Sequence, residues 1–176
     1  MAESNPHPKA KVHFPPLYPT LTSPSLIFFG TIEPSPTDNW ASRLTNQLSH
    51  LPIQILNPRR DDWDSTWREE VSFPKFRETV EWDIHHAAQA KLIVFYFKPE
   101  TLCPISLMEL GMYAALYGKG GDRKGEDGKV IVCCPVGFYK RGHVEIVCKN
   151  FDVKCYTEVE EFESAVRERM EKLCHS

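Results

Sequence analysis

Two unbroken apolar runs in the second half of the chain restrict its fold more than any other feature. The runs LIVFYF at 92–97 and VIVCC at 130–134 show no alternation between apolar and polar residues. Such a run is typical of a parallel β-strand that is covered on both faces. Parallel strands are joined by crossover connections, and these are usually helices. The two runs therefore predict an α/β fold.

Further short apolar runs alternate with helical periodicity along the rest of the chain. The predicted strands are 26–29, 53–56, 92–97, 130–133 and 153–156, and the predicted helices are 38–49, 74–88, 106–117 and 158–173. This order predicts a single-domain, doubly wound (flavodoxin-like) arrangement, with a five-stranded parallel sheet and helices on both faces.

The first 24 residues differ from the rest in composition. They contain six prolines among serine, threonine and lysine, without a sustained period. Such a segment cannot bury a core, so we expect a disordered, proline-rich arm at 1–24. The remaining residues, 25–176, are numerous enough for one compact domain and hardly for two.

Charge and cysteine content narrow the classes of function. The chain has 21 basic and 24 acidic residues and a net charge of −3, which does not favour a nucleic acid polymer or a membrane surface as partner. A small polar ligand or a protein partner fits better. The six cysteines have no scaffold spacing, which predicts a cytoplasmic protein with reduced thiols. Neither C-x-x-C nor H-x-x-x-H occurs, so we expect no metal and no cofactor.

Ligands of open parallel sheets bind at the carboxyl ends of the strands, so the residues that follow the strands are the candidates. After the first strand, Gly30 lets a ligand approach the backbone and Thr31 adds a polar group, although an ordinary turn explains both equally well. After the second strand, NPRRDDWDSTW at 57–67 combines both charge signs with two indoles. A loop that binds a ligand is the favoured explanation. The alternative is that Trp63 and Trp67 only cover the hydrophobic edge of the core.

The helix that begins at 74 carries a carboxylate on its predicted buried face. Phe76, Val80, Ile84 and Ala87 recur at steps of three and four residues, and Asp83 falls near the middle of this stripe. One explanation is an aspartate neutralised by arginine or by backbone donors. The other is an acid in a ligand cavity, whose pKa is raised by desolvation so that it can exchange protons near neutral pH. The neighbouring His85 and His86 are expected on the surface.

The next helix is almost entirely apolar, with Glu109 as its one early ionisable group. Ser106 and Glu109 match a capping box, which alone could explain the glutamate. The same position would hold a carboxylate at the positive end of the helix dipole, ionised in an apolar wall. An ionised, oriented carboxylate is what attack on a sugar carbon requires.

Taken together, these segments resemble the nucleoside 2-deoxyribosyltransferase-like family. The resemblance rests on FFGTIE, NPRRDDW, the aspartate of the helix at 74–88, LIVFYF, PISLMELG and GFYKRGHVEIVC in this order, over about residues 25–160. It implies cleavage or transfer at the N-glycosidic bond of a (deoxy)nucleoside or nucleotide. It also implies Glu109 as the nucleophile, Asp83 as the acid at the base, and a homo-oligomer whose sites are completed across an interface.

The resemblance further implies a set of substrate-binding residues. These are Phe28, Gly30, Thr31, Asn57, Arg59, Asp62, Trp63, Ser106 and His143. Three positions depart from typical transferases of the family: Cys103 stands for an aspartate, Phe28 for an aromatic residue with a hydroxyl, and His143 for an asparagine. Two other functions stay open, a TIR-like NAD glycohydrolase and a non-catalytic nucleotide-binding module.

Overall fold

A computed structural model describes residues 9–121 and 128–176, and within them six parallel strands form one sheet with five helices around it. The strands are β1 (Lys11–His13), β2 (Ser25–Gly30), β3 (Gln54–Leu56), β4 (Leu92–Tyr96), β5 (Val130–Cys133) and β6 (Lys154–Tyr156). The helices are α1 (Trp40–Leu48), α2 (Pro74–Gln89), α3 (Pro104–Tyr117), α4 (Arg141–Asn150) and α5 (Val159–His175). The strand order is β1-β3-β2-β4-β5-β6. In the part of the chain that is described, no helix is both long and apolar enough to cross a membrane.

The predicted α/β class with a parallel sheet is confirmed, but the prediction of five strands is wrong. The sixth strand, β1, lies inside the segment expected to be a disordered arm, and it pairs with β3 from Lys11↔Gln54 to His13↔Leu56. The three residues of β1 contain no apolar run, so their sequence does not predict a strand. They form a strand because they pair with the free edge of β3. Residues 1–8 of the arm lie outside the described residues.

Side chains of the domain also hold the segment between β1 and β2. The Gln54 side chain accepts hydrogen bonds from the backbone N–H groups of Thr22 and Ser23 at 2.8 and 3.2 Å. The Trp82 indole donates to the Leu17 carbonyl oxygen at 2.6 Å. The described part of the predicted arm therefore packs against the domain, because a buried amide and a buried indole need backbone partners.

Helix α4 was not predicted. Its buried residues are Val144 and Cys148 alone, and it has no side-chain cap, so its sequence shows neither a wide apolar stripe nor a start signal. Its packing in the apolar cluster that also contains Trp82 and Leu110 is what makes it a stable helix.

Alternate residues of the strands enter two separate apolar clusters. Ile27 and Phe29 lie in one cluster with residues of α2, α3 and α4. Leu26 and Phe28 lie in the other with residues of α1 and α5. The central strands are buried at every position up to their last residues, which is why their sequences are apolar without alternation.

The chain changes direction across the sheet between β3 and β4, which lie on opposite sides of β2. At this point the carboxyl ends of β2 and β4 meet, and Gly30 pairs with Tyr96. Gly30 has a φ of 112°, and a Cβ there would come within 2.0 Å of the Tyr96 carbonyl oxygen. Only glycine fits this position, because a side chain there would collide with the backbone of β4, and the position lies where parallel sheets bind ligands.

Candidate active site

A cavity of about 880 Å³ opens at the carboxyl ends of β2 and β3, between α2 and α3. Its walls come from the turn after β2, the loop after β3, and the facing sides of the two helices. The candidate residues that line it are Phe28, Gly30, Thr31, Asn57, Arg59, Trp63, Asp83, Ser106 and Glu109. The topology thus brings together residues that lie as far as 81 positions apart in the sequence, from Phe28 to Glu109.

Asp62 and His143 are not among the residues that line this cavity. Asp62 is exposed and pairs with Arg60 at 2.8 Å, while its neighbour Asp61 faces the cavity instead. His143 is exposed on α4. A role for His143 would therefore need a second chain, as the family resemblance implies, and that role stays a prediction.

The predicted capping box of α3 is wrong. The helix begins two residues earlier, at Pro104, and Cys103 occupies the N-cap position without a side-chain cap. Ser106 instead bridges to the end of β2: its hydroxyl accepts from the Gly30 N–H at 3.1 Å and donates to the Gly30 carbonyl oxygen at 3.3 Å. Proline at the first helical position explains the earlier start, because its fixed φ suits a helix and its missing N–H needs no cap.

Without a capping role, the burial of Glu109 has no local structural explanation. Its side chain lies in the second turn of α3 and is 8% exposed. Burial raises its pKa from 4.5 to about 7, and the Ser106 hydroxyl lowers it in part. The helix dipole therefore does not keep this carboxyl group fully ionised at neutral pH, because desolvation outweighs the dipole at this distance from the helix start.

Asp83 faces the same cavity from α2. Burial raises its pKa well above the ordinary value, and the nearby charge of Glu109 raises it further. Its Oδ1 atom is buried and has no hydrogen-bond partner among the described residues. In that part of the chain it also forms no ion pair, so the alternative of an aspartate neutralised by arginine is not found.

Of the stripe predicted to be the buried face of α2, Ala87 is buried in the core, whereas Phe76, Val80 and Ile84 line the cavity. Val80 and Ile84 are 41% and 50% exposed and line the cavity, whereas the core contacts of α2 come from Trp82, His86 and Ala87. His86 was expected on the surface, but it is fully buried, and its Nδ1 lies 2.8 Å from the Trp82 carbonyl oxygen. An apolar stripe indicates an apolar neighbour and does not distinguish a core from a cavity.

Hydrogen bonds hold the other walls of the cavity in place. The Arg59 guanidinium donates to the carbonyl oxygens of Glu33 and Pro34 at 2.7 and 3.0 Å, which ties the loop after β3 to the turn after β2. The Thr31 hydroxyl accepts from the Lys98 N–H at 2.9 Å and lies 3.1 Å from Cys103 Sγ. Arg59 and Thr31 thus shape the cavity through contacts with the chain itself.

The two tryptophans of the loop after β3 have different surroundings. Trp63 lines the cavity, and its ring packs against Trp67 with centroids 5.1 Å apart. Trp67 lies outside the lining residues, beneath the guanidinium of Arg60 at 5.2 Å and the ammonium of Lys75 at 5.1 Å. One indole thus supplies an aromatic wall for a ligand, and the other anchors the loop.

Two contributors to the site were not found from the sequence. Arg60 is 4% exposed at its side chain and joins Asp62 to Glu78 of α2, so it fixes the loop that carries Trp63. Tyr113 lies one helical turn after Glu109 and is buried beside both carboxyl groups. The spacing of four residues between Glu109 and Tyr113 was the available signal, since such pairs share one helix face.

Ser106→Ala is expected to destabilise the protein by roughly 1–3 kcal/mol, because it leaves the Gly30 N–H without its partner. Denaturant unfolding measures this effect. Ser72→Ala, which removes an exposed hydroxyl bonded to Glu70, is the matched control and should change stability by less than about 0.5 kcal/mol. Equal small effects in both variants would show that the Ser106 bridge does not support the site.

In residues 9–121 and 128–176, no group of three or more His, Cys, Asp or Glu side chains is arranged to hold a metal ion. Glu109 and Asp83 bring two carboxyl groups into a largely apolar cavity, which other carboxylates also line. The pKa of Glu109 is raised to about 7, and burial raises the pKa of Asp83 well above its ordinary value. Such a pair can divide the roles of nucleophile and acid.

Comparison with family models gives a match over the cavity. The family model described as "Nucleoside 2-deoxyribosyltransferase like" matches residues 23–138, and no curated protein matches the chain. The matched segment runs from before β2 to beyond β5, so it contains every residue that lines the cavity, whereas His143 lies outside it. Because this segment is more than half of the 176 residues and contains the whole cavity, the chain belongs to the nucleoside 2-deoxyribosyltransferase-like family.

Proposed function

We propose that this protein cleaves or transfers at the N-glycosidic bond of a (deoxy)nucleoside or nucleotide, with Glu109 as the nucleophile and a glycosyl-enzyme intermediate. The observation that carries the proposal is the pair of buried carboxyl groups, Glu109 and Asp83, on facing helices of one cavity. Family membership supports a nucleoside as the substrate class.

Each step of the proposed reaction uses groups that line the cavity. A carboxylate oxygen of Glu109 attacks C1′ of the sugar, and the bond between C1′ and the base nitrogen breaks. The Asp83 carboxyl gives its proton to that nitrogen, so the base leaves neutral. Water or a second base then attacks C1′, the bond to Glu109 breaks, and Asp83 takes up the proton of the attacking group. Water as acceptor gives hydrolysis and a base gives transfer.

The electrostatics of the cavity support this division of roles. Glu109, with a pKa of about 7, is partly ionised at neutral pH, and burial raises the pKa of Asp83 well above its ordinary value, which favours its protonated form. Ionised Glu109 itself raises the pKa of Asp83, so a charged nucleophile favours a protonated acid beside it. Trp63, Phe76 and Met108 provide apolar surface for a planar base in the same cavity.

The rate of base release is expected to rise with pH through about 7, the raised pKa of Glu109, and to decline above the pKa of Asp83. The sign follows because the nucleophile must be ionised and the acid must be protonated. Below pH 6 the rate should fall about tenfold for each pH unit. Rates measured between pH 4.5 and 10 test this. An acid limb near 4.5 would exclude a buried nucleophile.

The proposal is tested by incubation with a panel of deoxynucleosides, ribonucleosides, their 5′-monophosphates and NAD, followed by chromatography for the free base. Release of a base from a nucleoside or its monophosphate supports the proposal, and the addition of a second base distinguishes transfer from hydrolysis. Release of nicotinamide from NAD alone would indicate a TIR-like NAD glycohydrolase instead. Binding of a nucleotide without turnover would indicate a non-catalytic module.

A homodimer or larger homo-oligomer is part of the proposal. Both helices beside the cavity present exposed apolar side chains, namely Val80 and Ile84 of α2 and Ile105 and Met108 of α3. Contiguous apolar surface of this kind favours association with another chain. Sedimentation at micromolar concentration should give at least twice the chain mass of 20.3 kDa. A monomer under these conditions would contradict this part of the proposal.

Two finer assignments also belong to the proposal. A doubly wound, flavodoxin-like classification is supported by the strand order and by the two apolar clusters of the sheet. A cytoplasmic location with reduced thiols is supported by the six cysteines, none of which forms a disulfide.

A further inference from the structure

The buried hydroxyl of Tyr113 has no structural explanation in the fold. Tyr113 is 2% exposed, and its ring packs against Phe29 and Phe95 with centroids 5.2 and 6.4 Å apart. Among the described residues its hydroxyl has no hydrogen-bond partner. A phenylalanine would make the same ring contacts without the cost of a buried, unpaired hydroxyl. We therefore expect the hydroxyl to form a hydrogen bond in the functional state of the protein.

A second unpaired atom lies in the same buried region. Oδ1 of Asp83 is buried without a partner, as is the Tyr113 hydroxyl. The charges that act on the hydroxyl are those of Glu109 on its own helix, Asp83 on α2, and Tyr117. Burial first, and then the charges of these groups, raise the pKa of Tyr113, so its hydroxyl keeps its proton and remains a donor throughout the working pH range.

We propose that Tyr113 is a positioning residue whose hydroxyl donates a hydrogen bond to Oδ1 of Asp83. The inference rests on the proposed function, in which Asp83 is the acid for the leaving base. The two atoms are not joined in this structure, so the bond requires a movement of one or both side chains. Once formed, it pairs both unpaired atoms and leaves Oδ2 of Asp83 with its proton for the base in the cavity.

The distribution of donors favours Asp83 over Glu109 as the partner of Tyr113. The Ser106 hydroxyl already acts on Glu109 and lowers its pKa in part. Asp83 has no donor from any described side chain, and burial and Glu109, the causes that act on its pKa, both raise it. A carboxyl group without a donor is free to rotate, and a rotating acid presents its proton to the base for only part of the time.

The test compares Tyr113→Phe with the parent and with Tyr117→Phe, which removes a hydroxyl one turn further along the same helix. We expect Tyr113→Phe to slow release of poor leaving bases about tenfold and of activated bases little, because only poor leaving groups need an oriented acid. The basic limb of its pH profile should move upward by about one pH unit, because a hydrogen bond to the ionised form of Asp83 is lost. Tyr117→Phe should match the parent in both.

Other outcomes overturn the inference. A shift of the acid limb near pH 7 instead would assign the Tyr113 hydroxyl to Glu109, and an unchanged profile would assign it no role. The inference is also tested without turnover, by the pH titration of the ¹³C-labelled Asp83 carboxyl in the parent and in Tyr113→Phe. An upward shift of about one pH unit in the variant is expected. An unchanged titration would overturn the inference, and this result does not depend on turnover. A lack of cleavage of every panel substrate would refute the proposed function separately.

Discussion

Glu109→Gln is expected to lower base release by about a thousandfold or more on any substrate that the parent cleaves, because a neutral amide cannot attack C1′ as an anion. The side chain keeps its size, so the cavity between α2 and α3 keeps its shape. The rate of base release, measured by chromatography under single-turnover conditions, isolates the chemical step from product release.

Glu81→Gln is the matched control, since Glu81 is an exposed carboxylate that lines the same cavity from α2 and pairs with Arg77 at 3.7 Å. This control should keep the rate within about threefold of the parent. Near-parental turnover by Glu109→Gln would exclude the glycosyl-enzyme mechanism, and equal losses in both variants would mean that charge in the cavity matters rather than nucleophilic attack.

Glu109→Gln should also stabilise the folded protein relative to the parent at high pH. The pKa of Glu109 is raised in the folded state, from 4.5 to about 7, so its contribution to stability is present at low pH and is lost as pH rises through about 7. Glutamine does not titrate and avoids this loss. Between pH 5 and pH 8 the difference in free energy of unfolding should widen in favour of the variant by on the order of 2 kcal/mol. Urea unfolding at both pH values measures it.

Asp83→Asn is expected to lower the release of poor leaving bases by about a hundredfold to ten-thousandfold while changing the release of activated bases much less. An amide cannot supply the proton that the departing nitrogen needs, and activated bases leave without it. The basic limb of the pH profile should also disappear, because it reports the loss of the proton from Asp83.

The measurement is a comparison of bases with graded leaving ability on one sugar, in the parent and in Asp83→Asn. Asp61→Asn is the control, because Asp61 also lines the cavity but is exposed and pairs with Arg59 at 3.7 Å. Equal losses for good and poor leaving groups in Asp83→Asn would assign Asp83 to binding rather than to proton transfer.

The sequence alone determined the α/β class and the central strands. LIVFYF and VIVCC are apolar at every position because β4 and β5 are covered on both faces, and this requirement is visible without knowledge of the neighbours. It also identified both carboxyl groups, because an ionisable residue within an apolar helix pattern is unusual enough to need an explanation. Family motifs added the roles that these carboxyl groups are proposed to have.

Only the tertiary structure decided what lies opposite each side chain. The three residues of β1 become a strand because β3 offers them a free edge, and the stripe Val80 and Ile84 faces a cavity rather than a core. The sequence predicted that Ser106 caps a helix, yet its hydroxyl forms a hydrogen bond with Gly30, which is 76 residues away in the sequence. The unpaired hydroxyl of Tyr113 beside the two carboxyl groups is likewise a consequence of how α2 packs beside α3. Local patterns record the polarity of a residue's surroundings, whereas hydrogen-bond partners and pKa values depend on groups that the fold brings together from distant parts of the chain.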